Sequence, residues 1–158
     1  MCEKLKCVEL NEGLETLGTD EKPDDKYLYH GVFEGSAIEK IGIPSTLKRI
    51  EYSTFEGCKS LTAVEFGTNC QLEKIRFRAF ENIGLEEFVA PPSLRIIGYA
   101  AFYKCAKLKR VVLNEGLETL GENEPADGSS CFRGIFEESG VQEVFLPSTL
   151  KVIERRSF

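Results

Sequence analysis

Several features that whole classes of function depend on are scarce or missing from this chain. It has one histidine, His30, so paired imidazole ligands and most nucleophile–base arrangements have nothing to be built from. It contains no G-x-x-x-x-G-K-[ST], G-x-G-x-x-G or G-x-S-x-G string, which removes the common phosphate cradles and the nucleophile elbow. No asparagine heads an N-x-[ST] acceptor. Apolar runs are only a few residues long, Val111-Val112-Leu113 for example, so no segment spans a bilayer. Met1 to Lys6 lacks the apolar stretch of a signal peptide. The six cysteines form no Cys-x-x-Cys pair and are too sparse for a disulfide scaffold. Basic residues are outnumbered 20 to 26, leaving a net charge of −6. That balance argues against a nucleic-acid partner and against docking on anionic membrane.

The chain does carry an internal repeat. Six segments share the pattern L-x-x-V-x-L: Leu5 to Leu10, Ile38 to Ile43, Leu61 to Phe66, Leu85 to Ala90, Leu108 to Leu113 and Val141 to Leu146. Each is followed by a turn-forming stretch, then by a second apolar pair (Leu14/Leu17, Leu47/Ile50, Leu72/Ile75, Leu94/Ile97, Leu117/Leu120, Leu150/Ile153). A phenylalanine closes each unit, at 33, 55, 80, 102, 136 and 158, giving intervals of 22, 25, 22, 34 and 22. Such a period is the mark of a solenoid whose units bury their apolar faces only against each other. A larger duplication lies on top. Shifted by 103 residues, positions 1–55 match 104–158 at 28 of 55 places, including Asn11 to Gly18 against Asn114 to Gly121. The ends lack polar capping repeats, so the 158 residues read as a single domain cut from a longer array.

The strings Ala79-Phe80, Leu94-Arg95-Ile96-Ile97-Gly98 and Ala101 to Leu113 make the chain similar to the BspA-like, or Treponema-type, leucine-rich-repeat family. The resemblance covers all but two inserts, near 19–30 and 122–133. It implies a right-handed, β-rich parallel solenoid, a horseshoe fragment of about six units with short back-side strands or 3₁₀ turns. It also implies a surface or secreted location, a role in adhesion, and no enzyme. A cytoplasmic location is the alternative, since no leader is present to support the first.

Periodicity places parallel strands near 6–10, 39–43, 62–66, 86–90, 109–113 and 142–146. Equivalent residues of stacked units then form columns about 4.8 Å per step. One column, Glu15, Lys48, Glu73, Arg95, Glu118 and Lys151, alternates in sign at every step, which reads as register control for stacking. Cys2, Cys58 and Cys105 share another column with Ser36, Ile83 and Ser139, and are expected to be reduced, with Cys58 and Cys105 buried.

A third column, facing outward onto the concave side by alternation, runs Glu9, Gly42, Glu65, Val89, Val112 and Phe145. Its second half is apolar, flanked by Glu87, Arg110 and Glu143 on one side and by Glu86, Lys109 and Gln142 on the other. An apolar stripe with a charged rim is how a protein-binding patch reads, although valine and phenylalanine are also good strand formers. In the inserts, Tyr29 matches Phe132 and Gly31 matches Gly134, as an anchor pinning each loop would. Tyr27, His30 and Arg133 differ between the copies and are candidates for recognition. The acidic run Asp20, Glu21, Asp24 and Asp25 lacks calcium-loop spacing, so no metal or cofactor is expected.

The expected function is a non-enzymatic module binding protein or glycan by Val89, Val112, Phe145, Lys109, Arg110 and Glu87, or by the insert residues. The alternative is a spacer that only presents another domain. The uncapped ends lead to a further expectation, end-to-end self-association through residues 1–17 or 141–158.

Overall fold

The computed structural model describes residues 4–19, 30–122 and 133–158. Among these are twelve strands and no helix. In chain order they are β1 (Cys7–Glu9), β2 (Thr16–Leu17), β3 (Lys40–Ile43), β4 (Arg49–Ile50), β5 (Ala63–Phe66) and β6 (Lys74–Ile75). The second half repeats the scheme with β7 (Glu87–Val89), β8 (Ile96–Gly98), β9 (Arg110–Val112), β10 (Thr119–Glu122), β11 (Glu143–Phe145) and β12 (Val152–Ile153). Odd-numbered strands come from the L-x-x-V-x-L segments and even-numbered strands from the second apolar pairs. All pairing is parallel, as stacking of equivalent units requires.

The six odd strands fall where periodicity put them, but they do not form one row. They split into β1-β3-β5 and β7-β9-β11, while the even strands run unbroken as β2-β4-β6-β8-β10-β12. The break lies beside the unit that contains β5. From Leu61 to Leu72 is 11 positions, whereas the same step in other units, Ile38 to Leu47, Leu85 to Leu94 or Leu108 to Leu117, is 9. The extra residues lengthen the turn Gly67 to Gln71. The next unit meets that turn with Pro91 and Pro92, which have no N–H to offer it.

The phenylalanine that ends each unit becomes a continuous stack. Phe33, Phe55, Phe80, Phe102, Phe136 and Phe158 lie ring over ring at 5.5, 5.2, 5.5, 5.7 and 5.7 Å. Beside them runs a third ladder, in which Phe33, Phe55, Phe80, Phe102 and Phe136 each donate N–H to the next unit, at 2.8 to 3.2 Å. One residue type per period therefore supplies both core volume and register.

The alternating charge column also stacks as expected. Lys48, Glu73, Arg95, Glu118 and Lys151 each donate N–H to the carbonyl of the residue before them in the column, at 2.8 to 2.9 Å. Two steps add side-chain ion pairs, Lys48 to Glu15 at 3.1 Å and Lys151 to Glu118 at 2.8 Å.

Cys58 and Cys105 are free and buried. Each thiol donates to the carbonyl of the phenylalanine one unit back, Cys58 to Phe33 at 2.9 Å and Cys105 to Phe80 at 3.1 Å. A small side chain with one donor fits that position, as the serines that share the column also do. Burial pushes the Cys105 thiol up to about 12 and the Cys58 thiol upward as well, so both are poor nucleophiles. Cys7 is exposed and Cys70 half-buried. Cys2 and Cys131 lie outside the described residues.

The strings repeated without change at the 103-residue offset form the same clasp twice. The Glu12 carboxylate accepts from Ser45 N–H (3.0 Å), Ser45 Oγ (2.8 Å) and Thr46 N–H (3.3 Å). Glu115 accepts from Ser148 N–H and Oγ, both at 3.0 Å. Gly13 and Gly116 donate N–H to Thr46 and Thr149 Oγ1, each at 2.9 Å. The serine donors hold both carboxyls below their ordinary range.

Candidate functional site

Val89, Val112 and Phe145 stand on β7, β9 and β11 and are direct Cα partners in the ladder. Alternation turns Phe88 and Val111 into the core and these three outward. Val89 is 47% and Phe145 50% exposed, with Val112 half-buried between them, so this face of the sheet presents apolar surface. The flanking column is in register too, Glu87 with Arg110 and Arg110 with Glu143. The Arg110 guanidinium pairs with Glu87, approaches Glu143 at 3.9 Å, and lies 5.0 Å from the centre of the Phe145 ring. That cation–π contact fixes the arginine across the end of the stripe. Lys109 is exposed just before β9, where its N–H donates to the Glu86 carbonyl and its carbonyl accepts from Gln142 and Glu143. Six of the nine residues singled out from the sequence are thus brought together on one three-stranded face.

The others are elsewhere. Exposed His30 has its Nδ1 3.2 Å from Glu34 Oε2, beside a hollow lined by Leu5, Gly31 and Phe33. Arg133 is engaged by the body of the protein. Its guanidinium sits 4.5 Å from the centre of the Tyr103 ring and donates to the Tyr103 hydroxyl, which in turn donates to Glu138 at 2.6 Å. Tyr27 lies outside the described residues, as do Tyr29 and Phe132.

The glycine half of the loop anchor is described. A Cβ on Gly31 would lie 1.7 Å from the Ser53 carbonyl oxygen, and one on Gly134 would lie 1.5 Å from that of Arg156. Backbone therefore meets backbone where each insert rejoins the stack, and only glycine fits. Glu34 and Glu137 accept the two glycine N–H groups, at 3.3 and 2.8 Å.

Sequence reasoning missed a titratable cluster near Arg133. Glu81 is 9% exposed and its carboxylate lies 3.2 Å from Arg78, which also approaches Glu56 at 3.6 Å. Burial pushes the Glu81 carboxyl up to about 7, against the pull of Arg78. The pattern of apolar positions does not mark this site, where Arg78 meets Glu81 three residues on and Glu56 from the neighbouring unit. Among the described residues no group of His, Cys, Asp and Glu could hold a metal ion, and no helix is long and apolar enough to cross a membrane.

A stack of parallel units with an L-x-x-V-x-L strand in each defines a leucine-rich-repeat solenoid. The model of the BspA type leucine rich repeat region matches residues 26–158 in six copies, so the chain belongs to that family. Such repeats are generally interaction scaffolds rather than enzymes. The chain resembles the leucine-rich-repeat protein of T. pallidum at 23% identity and a TM-score of 0.54, over 94% of this chain and 73% of that one. A leucine-rich-repeat protein from Bacteroides ovatus is 25% identical, with a TM-score of 0.46, over 73% of this chain and 33% of that one. The pneumococcal vaccine antigen PcpA is 23% identical, with a TM-score of 0.43, over 78% and 43%. The chain thus spans less than half the length of these last two proteins. No curated protein matches it.

Proposed function

We propose that the chain is a non-enzymatic protein-interaction module that binds protein or glycan through the face of β7, β9 and β11, within a protein that is secreted or held at the cell surface. The observation that carries this reading is the outward column of exposed Val89, half-buried Val112 and exposed Phe145. A repeat selected only for stacking and solubility has no use for a half-exposed phenylalanine beside two valines. The charged neighbours Glu87, Arg110 and Lys109 supply the polar rim that specific interfaces carry around an apolar centre. The location follows the family's usual habit.

The spacer alternative also has support, since the columns led by Glu15 and by Cys58 serve only register and packing. Binding to an immobilised panel of matrix proteins and glycans separates the two readings. The interaction reading expects at least one binder, lost in Val112→Glu/Phe145→Glu with the circular dichroism spectrum unchanged. Binding that survives this double variant overturns the assignment to this face, and a panel without any binder favours the spacer.

A further inference from the structure

The row of even strands is bounded by β2 on one side and β12 on the other, and each has one edge without a strand partner among the described residues. Beyond β12, Leu146, Ile153 and Phe158 are 48%, 50% and 60% exposed. Before β2, Val8, Leu10 and Leu14 are only half-buried. Open strand edges and uncovered apolar side chains attract another chain. Which chain, and in which direction, follows from the residues of the two faces.

The unit of β1 and β2 is nearly a copy of the unit of β9 and β10. Residues 5–18 match 108–121 at 12 of 14 places. The unit of β11 and β12 resembles that of β7 and β8. Both run 18 residues to their closing phenylalanine, with leucine, a basic residue and isoleucine at equivalent places (Leu94, Arg95 and Ile97; Leu150, Lys151 and Ile153). The molecule already contains a junction between these two kinds of unit. Where β10 stacks on β8, the Glu118 and Thr119 N–H groups both donate to the Arg95 carbonyl, at 2.9 and 3.1 Å. The Arg95 guanidinium donates to the Gly116 carbonyl at 2.7 Å, and Phe136 stacks on Phe102 at 5.7 Å.

Glu118 therefore lies between two cations. Lys151, hydrogen-bonded to it from one side, holds its carboxyl below the ordinary range, and Arg95 on the other adds to the pull. Glu15, the equivalent residue of the first unit, has Lys48 on one side at 3.1 Å and no described cation on the other. Lys151 has Glu118 on one side at 2.8 Å and no described carboxylate beyond it. Each face lacks the charge that the other carries.

We infer that the face beyond β12 takes the β1–β2 face of a second copy of this chain, head to tail. The incoming β2 continues the even row, with its Glu15 and Thr16 N–H groups on the Lys151 carbonyl and its Glu15 carboxylate beside the Lys151 ammonium. The incoming Phe33 extends the phenylalanine stack past Phe158. Charge then alternates without a break from one copy into the next. A tail-to-tail pair would bury the same apolar residues but leave Glu15 and Lys151 unmatched. A head-to-tail contact leaves one open face at each end, so association continues into a row. None of this depends on what the face of β7, β9 and β11 binds.

The test is sedimentation velocity of the 158-residue chain at low salt, beside the single charge reversals Glu15→Lys and Lys151→Glu. These side chains are 65% and 69% exposed, so both variants should keep the wild-type circular dichroism spectrum. The wild type is expected to form species larger than a dimer as its concentration rises through the micromolar range. Each variant alone should associate about fivefold more weakly, since like charges then meet at the junction. An equimolar mixture should recover association, because a reversed tail meets a reversed head. A wild type that stays monomeric at hundreds of micromolar overturns the inference. Association that stops at a dimer overturns it in favour of a tail-to-tail pair. Reversals without effect, or a mixture no stronger than its parts, overturn it as well.

Discussion

The unit at 38–55 and its duplicate at 141–158 carry nearly the same apolar set in opposite surroundings. Ile41, Ile43, Ile50 and Phe55 are 0 to 2% exposed. At the equivalent places, Leu146 is 48%, Ile153 50% and Phe158 60% exposed, and Val144 is only partly buried. The two units fold alike, with β4 and β12 each paired to the even strand of the preceding unit. They differ in their cover, since the unit of β5 and β6 packs over the first and no described residue packs over the second. A leucine-rich unit thus has no core of its own. Its burial is a property of its neighbour.

The largest expected effect is in the phenylalanine stack. Phe55→Ala removes a ring packed on both faces and should cost about 3–5 kcal/mol in denaturant unfolding. Phe158→Ala should cost about 0.5 kcal/mol or less, as exposed positions do. Equal losses would mean that the last unit is covered in solution.

Such cover has a candidate in a second copy of the chain. The apolar face of Leu146, Val152, Ile153 and Phe158 is expected to drive end-to-end self-association at micromolar concentration. Ile153→Glu should return the protein to a monomer in sedimentation velocity. A wild-type chain that is already monomeric would break this expectation while leaving the first intact.

The smallest effect separates the two copies of the glutamate clasp. Both carboxyls are held low in the folded state, so their contribution to stability is present above the ordinary carboxylate range. It is lost as pH falls through the lowered folded value. Glu12→Gln and Glu115→Gln should each reduce the melting temperature slightly at neutral pH and by less at acid pH, to the same extent in both copies. Unequal effects would show that the environment of the clasp, not its residues, sets its strength.

The strand positions, the parallel stacking, the phenylalanine column and the buried cysteines were all legible in the chain, because each depends on one residue type returning at a fixed interval. The outward stripe of Val89, Val112 and Phe145 was legible for the same reason, given the two-residue alternation of a strand. The split between β5 and β7 was not, since a longer turn and a Pro-Pro pair signal an irregularity without saying which ladder gives way. Nor was the role of Arg133, which depends on Tyr103 arriving from the preceding unit, or the elevated carboxyl of Glu81. Repetition fixes what each unit does to the next. How two irregular units share the space between them is decided only when backbone groups and side chains compete for it in three dimensions.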